Sequence, residues 1–175
     1  MAKSTAFWTT ANYREAYSLF ACSGILFNHE SPLRPERFVT RKIVRSACRI
    51  AKGLQDVLDL GNIDIQRDWG YAPDYVQAMW LMLQQDRPDD FIIATGRTSS
   101  LKDFVQIVFA DVGLDWSKYV RTRPEFLRPT DIKVSRANPE KAYRVLGWEA
   151  RHTIESVARL MVESEMALLN EQEKE

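Results

Sequence analysis

The chain has 175 residues, 45% of them hydrophobic, enough for one well-buried domain or a partial sheet with a small lobe, and too few for two large domains. Its 24 Lys and Arg balance 24 Asp and Glu, so no global field favours a polyanion such as nucleic acid and any anion must be recognised locally. Cys22 and Cys48 lack paired spacing and His29 and His152 stand far apart, which argues against a metal site or a disulfide framework and for a reducing cytoplasm.

Taken in chain order, Lys3 to about Ser18 reads as a helix, with Phe7, Trp8, Ala11 and Ala16 and few turn formers. Leu19–Phe27 is short and apolar, the pattern of a strand buried on both faces of a parallel sheet, and residues 28–35 form the loop at its carboxyl end. Val39–Lys52 is helical, with Ile43, Ala47 and Ile50 on one face; Arg41, Arg45, Arg49 and Lys52 on another read as a solvated stripe, and Gly53 stops it. Residues 57–61 form a strand and 62–64 a turn. A helix follows over 71–84, its apolar stripe Tyr75, Val76, Met79, Trp80 and Leu83, with Met79, Trp80 and Met82 assigned to the core. Residues 90–96 form a second buried strand. Ser100 with Asp103 signals a capping box for a helix over 101–112, and 120–122 is a short strand. Asn138-Pro139-Glu140 starts a helix ending before Gly147, with Trp148 as a packing anchor, and Thr153 starts the last helix, with Ile154, Val157 and Met161 facing inward. Helices alternating with short apolar strands indicate an α/β fold. The opening residues lack an apolar signal core, and no run reaches the roughly 18 apolar residues a membrane span needs.

Six strings carry a resemblance: Leu26-Phe27-Asn28-His29-Glu30-Ser31-Pro32, Phe38-Val39-Thr40-Arg41-Lys42, Arg67-Asp68-Trp69-Gly70 with Asp74 to Trp80, Ala94-Thr95-Gly96, Arg128-Pro129-Thr130-Asp131 and Leu146-Gly147-Trp148. In collinear order they resemble the GDP-mannose 4,6-dehydratases of the extended short-chain dehydrogenase/reductase superfamily. The RDW and LGW strings are shared with sugar-nucleotide epimerases and other dehydratases; the NHESP and FVTRK strings are more particular. No glycine-rich dinucleotide fingerprint follows any strand. The resemblance therefore implies the carboxyl-terminal part of a Rossmann-like, NAD(P)-binding fold with a small substrate-binding lobe, the amino-terminal strands missing. Residues 1–35 and about 57–96 would be remnants of the Rossmann sheet, and about 36–56 and 97–175 would contribute mainly to the lobe.

The same resemblance implies roles. Lys3 falls where the family's catalytic Lys stands, binding the nicotinamide ribose and favouring the phenolate of a Tyr that would precede Met1. His29 and Arg34 match positions that contact NADP. Asn28, Val39, Lys42, Arg67, Arg128 and Asp131 match positions that hold the GDP-sugar: cations suit a diphosphate, and a carboxylate can accept both hydroxyl hydrogens of a ribose. The family has Glu where Asp131 stands, one methylene longer. The implied activity is conversion of GDP-mannose to GDP-4-keto-6-deoxy-mannose, an internal NADP redox dehydration on the route to GDP-fucose, with the proton-transfer groups upstream of Met1. Association with an amino-terminal half, or a homo-oligomer, is expected. The alternatives are a non-catalytic nucleotide-binding or assembly module that pairs with a full-length relative, and another nucleotide-sugar epimerase or dehydratase.

Overall fold

The computed structural model describes residues 1–127 and 130–173. Short apolar segments alternate with helices, and the backbone pairs the strands into four two-stranded ladders. β1 (Gly24–Leu26) lies parallel to β6 (Phe91–Ile93), β2 (Asn28–Glu30) to β5 (Trp69–Tyr71), and β3 (Leu58–Leu60) to β8 (Val120–Thr122). β4 (Gln66–Arg67) and β7 (Ser99–Ser100) run antiparallel. Parallel pairing requires long crossovers. They run through α2 (Val39–Ala51), α3 (Ala72–Met82) and α4 (Leu101–Asp111). α1 (Ala2–Tyr17) opens the chain, and α5 (Glu140–Leu146) and α6 (Ile154–Gln172) follow β8.

Local chemistry sets several boundaries. Ser100 Oγ accepts from the Asp103 amide at 3.0 Å while Asp103 accepts from the Ser100 amide at 2.8 Å, the reciprocal box that satisfies two free N–H groups at the start of α4. Thr153 and Ser156 make the same exchange before α6. Gly147 ends α5 at φ 61°, a left-handed conformation that costs glycine little.

Two apolar clusters form the core. In one, Ile43, Val44 and Ala47 of α2 meet Leu58 and Leu60, Phe104 and Val108 of α4, and Val157 and Met161 of α6. In the other, Tyr75, Ala78 and Met82 of α3 close over Phe91 and Ile93 with Ala142, Leu146 and Trp148. Trp148 is thus a packing anchor, its indole N–H donating to the Asp74 carbonyl at 3.0 Å.

Three readings of the sequence change. The strand expected over 19–27 shrinks to Gly24–Leu26, and the loop expected from Asn28 begins as β2, because Trp69–Tyr71 offers it a parallel edge. The α3 stripe is inward only in part. Tyr75 and Met82 are buried with Ala78, whereas Val76 and Trp80 are 61% and 60% exposed and Met79 and Leu83 also face outward. α3 is apolar nearly all round, so spacing alone did not select its inner face. The basic stripe of α2 is in part a seam against α6: Arg41 is buried and paired with Glu165, Arg45 Nε lies 3.9 Å from Glu165 while Arg45 also pairs with Glu36 ahead of α2, and Lys52 reaches Glu173 at 2.9 Å. Among the described residues, no helix is long and apolar enough to cross a membrane, and no group of three or more His, Cys, Asp or Glu could hold a metal ion.

Candidate functional site

The parallel pair β2–β5 is the wall on which the site is built. Its register sets Asn28 against Trp69 and His29 against Gly70. Gly70 is required there: a Cβ would lie 2.6 Å from the hydroxyl oxygen of Tyr75, whose ring also packs 5.2 Å from that of His29. His29 Nδ1 lies 2.8 Å from the Phe27 carbonyl, which only accepts, so Nδ1 carries the proton and Nε2 is left for another partner.

Two buried carboxylates brace this wall. Glu30 accepts from the Thr40 hydroxyl at 2.7 Å and faces Arg34 Nε at 3.2 Å. Burial pushes its carboxyl up, against the opposing pull of Thr40 and Arg34. Asp68, fully buried, accepts the amides of Thr95 at 2.9 Å and Gly96 at 2.8 Å, fixing the turn after β6. Burial raises this carboxyl too, and the amide donors oppose it. Neither acid is legible from sequence: Arg34 stands four residues after Glu30, a spacing that signals an ion pair on a helix, and this stretch leaves β2 for a turn.

A cavity of about 660 Å³ lies between α1 and the β1–β2 segment, with Lys3, Phe7, Thr10, Ile25 and His29 in its lining. Lys3 and His29 are therefore brought together. α1 itself buries none of its side chains. It is held by Arg14, which bonds the Ala21 carbonyl at 2.7 Å and Asp90 Oδ2 at 3.2 Å; Asp90 also accepts the Ser23 amide at 2.9 Å. Arg34 does not line this cavity; its guanidinium stacks 3.6 Å above the Phe38 ring and pairs with Glu30.

The stretches 123–127 and 130–135 are each tied to the body of the fold, like the two ends of a strap. At one end Arg123 donates its amide to the Leu60 carbonyl at 2.8 Å and its Nε to Asp59 at 2.9 Å. At the other, the Gln66 amide donates to the Lys133 carbonyl at 2.8 Å and the Ser135 amide to the Gln66 carbonyl at 3.0 Å. Lys42 meets the first end, its Nζ donating to the Asp59 carbonyl at 2.6 Å and lying 5.2 Å from the Phe126 ring centre. Arg67 follows Gln66 at the second end, its Nη1 bonded to the Gln66 carbonyl at 2.8 Å. Asp131 sits within the strap. Asn28 opens β2, Val39 is the half-exposed first residue of α2, and Arg128 lies outside the described residues.

The chain matches the family model described as GDP-mannose 4,6 dehydratase over residues 1–161. It is 49% identical over 166 residues to GDP-mannose 4,6 dehydratase 1 of Arabidopsis thaliana, covering 95% of this chain and 46% of that one. With GDP-mannose 4,6 dehydratase of Dictyostelium discoideum it shares 42% identity over 191 residues, 99% of this chain and 54% of the relative. Its fold is similar to that of RMD from Pseudomonas aeruginosa complexed with NADPH, at TM-score 0.83 and 17% identity, over 92% of this chain and 52% of that one. It is also similar to dTDP-glucose 4,6-dehydratase from Bacillus anthracis in complex with NAD, at TM-score 0.81 and 19% identity, over 97% and 51%. These likenesses establish part of an extended, Rossmann-like short-chain dehydrogenase fold, and the chain spans about half the length of the curated relatives it matches. The chain belongs to the GDP-mannose 4,6-dehydratase family.

Proposed function

We propose that this chain is the nucleotide-sugar-holding half of a GDP-mannose 4,6-dehydratase, a hydro-lyase that works once a complementary half is present. The observation that supports the reading is that the stretches flanking Asp131 are tied down beside two of the proposed cations: Lys42 bonds the Asp59 carbonyl at the first end, and Gln66, next to Arg67, pairs with Lys133 and Ser135 at the second. Two cations suit a diphosphate, and a carboxylate suits a ribose. Asn28 and the backbone at Val39 complete the proposed contacts, with Arg128 beside Asp131 in sequence. The division into a Rossmann remnant (1–35 and about 57–96) and a substrate lobe (about 36–56 and 97–175) is part of the proposal, and the two apolar clusters run across it: Leu58 and Leu60 pack with α2 and α6, and Tyr75 with Leu146 and Trp148.

The cofactor proposed is NADP. The cavity holding Lys3 and His29 has a volume usual for a small-molecule site, with an ammonium and an imidazole in its lining that fit an anionic dinucleotide; Arg34, outside the cavity and paired with Glu30, is proposed for NADP through the family string alone. The chemistry the dinucleotide supplies when bound is reversible hydride transfer. Lys3, with its ammonium at the cavity, would hold a ribose hydroxyl and favour the ionised form of a nearby phenol. His29, its Nδ1 proton committed to Phe27, would accept a hydrogen bond through Nε2. Proton transfer at the sugar is assigned to the complementary half; this chain contributes by orienting the substrate.

A second reading has its own support. With no side chain of α1 buried, this helix is suited to pairing with another subunit, so an assembly module that joins a full-length relative is the alternative. A coupled assay on GDP-mannose, run with and without a co-expressed amino-terminal half of a relative, separates the two. The first reading expects turnover only with both halves and GDP binding by this chain; tight association without GDP binding would support the second. The compartment proposed is the cytoplasm.

A further inference from the structure

α1 is tied to the body of the fold near one end only. It buries none of its side chains, and Arg14 in its last turn supplies the tie. Arg14 Nε donates to the Ala21 carbonyl at 2.7 Å and the guanidinium pairs with Asp90, which also accepts the Ser23 amide at 2.9 Å. Among the described residues, no other hydrogen bond or ion pair leaves this helix for the rest of the chain. One carboxylate thus holds both the helix and the segment entering β1. Between them Ser18 stands at φ 53°, the one non-glycine residue with positive φ among the described residues, and Leu19 and Phe20 beside it are half-exposed. A left-handed conformation is unfavourable for serine, so this joint has the character of a hinge.

The face of α1 that turns to β1 repeats at helical spacing. Lys3, Ala6, Phe7 and Thr10 line the cavity of about 660 Å³ under the helix, and Arg14 follows on the same face one turn later. Three turns separate Arg14 from Lys3, about 16 Å along the axis. The cavity therefore opens under the far end of the helix while the tie closes the near end, the arrangement of a lid and its latch. Tilting α1 about the latch by about 10° moves Lys3 by roughly 3 Å, the whole length of a hydrogen bond.

We infer that α1 is a hinged lid over this cavity and that Arg14 is the positioning residue that sets Lys3 above it, acting through Asp90. This inference rests on the reading that NADP occupies the cavity and adds what governs its hold. A ligand lying between Phe7 and Ile25 gives α1 the buried contacts it lacks, so binding and closing form one equilibrium. Weakening the latch lowers the closed fraction, and the apparent affinity falls by the same factor.

Amide exchange of the whole chain, read by mass spectrometry with NADPH as the probe, tests the lid. If the open form excludes NADPH, exchange across 2–17 should slow by about 100-fold when NADPH stands at 100 times its Kd, and by more than exchange in α2 or α6. Arg14→Leu should speed exchange across 2–17 and weaken NADPH binding about tenfold, the effect of one lost charge-assisted tie. Its thermal unfolding midpoint should stay at the wild-type value, because α1 buries nothing. Arg14→Lys, which keeps a cation facing Asp90, should recover part of both losses. NADPH binding without slower exchange across 2–17 overturns the lid and leaves the cofactor reading intact. An Arg14→Leu chain that binds NADPH as the wild type does overturns the positioning role. Slowing that follows chain concentration instead of NADPH overturns the lid in favour of a subunit contact through α1. A wild-type chain that binds no NADPH overturns the cofactor reading and this inference together.

Discussion

Asp74, near the start of α3, gathers His152 from the far end of the chain. Its carboxylate accepts the His152 imidazole Nδ1 and the amides of Arg151 and His152, all at 3.0 Å. The His152 ring also packs 4.5 Å from that of Tyr71. One buried acid therefore fastens the segment leading into α6 onto α3, joining the two apolar clusters.

Removing that acid leaves several donors unmatched. Asp74→Ala should lower unfolding free energy by about 3 kcal/mol, as expected when charge-assisted bonds to buried groups are lost. His152→Ala, which removes one partner and keeps both amide bonds, should cost roughly 1 kcal/mol. Urea denaturation of the two variants checks the ranking, and equal losses would show that the amides contribute nothing.

Gly70 and Tyr75 should be coupled. Gly70→Ala places a methyl 2.6 Å from the Tyr75 hydroxyl oxygen and 2.7 Å from ring atom Cε2. Overpacking of this kind costs about 1–3 kcal/mol. Tyr75→Phe removes a buried hydroxyl that has no partner, so alone it should be neutral or slightly stabilising. In the Gly70→Ala background it should recover part of the loss, because the nearest atom is gone while the ring edge remains. A double-mutant cycle showing simple additivity would place the strain elsewhere.

The pair Arg41 and Glu165 should behave as a buried ion pair. Breaking it by Arg41→Met leaves buried Glu165 with only Arg45, whose Nε lies 3.9 Å away, and should cost about 3 kcal/mol. Replacing both, Arg41→Met with Glu165→Leu, should return most of the stability, since apolar substitutes carry no desolvation penalty. Thermal unfolding of the single and double variants measures the difference. A double variant as unstable as the single would mean that the ion pair itself drives α2–α6 packing.

Two carboxyls give opposite pH dependences. Burial holds Glu30 above its ordinary value of 4.5, so the folded state binds this proton more tightly than the unfolded chain. Its contribution is therefore greatest below 4.5 and is lost as pH rises through the folded value. Glu30→Gln should gain stability relative to wild type as pH rises from 4.5. Asp90 differs: burial raises its carboxyl, but the hydrogen bonds of Arg14 and Ser23 outweigh that and hold it below 3.8. Its contribution is present above 3.8 and disappears as pH falls through the lowered value. Acid should therefore loosen the Arg14 tie, seen as faster amide exchange across 2–17 relative to the rest of the chain. An Asp90→Asn chain should show that exchange already at neutral pH.

What the sequence alone determined is the part governed by near neighbours. The α/β alternation, the box at Ser100 and Asp103, the stop at Gly147 and the short strand 120–122 all depend on residues a few positions apart, and all appear where expected. The family strings were legible for the same reason, being contiguous. The tertiary structure decided which surfaces meet. α3 is apolar on most sides, so only contact with β6 and α5 could select Tyr75, Ala78 and Met82 over Trp80. Arg41 looked like a solvated charge because its partner, Glu165, lies at the other end of the chain. Burial and charge pairing are properties of the assembled neighbourhood, and a local pattern of residues does not contain them.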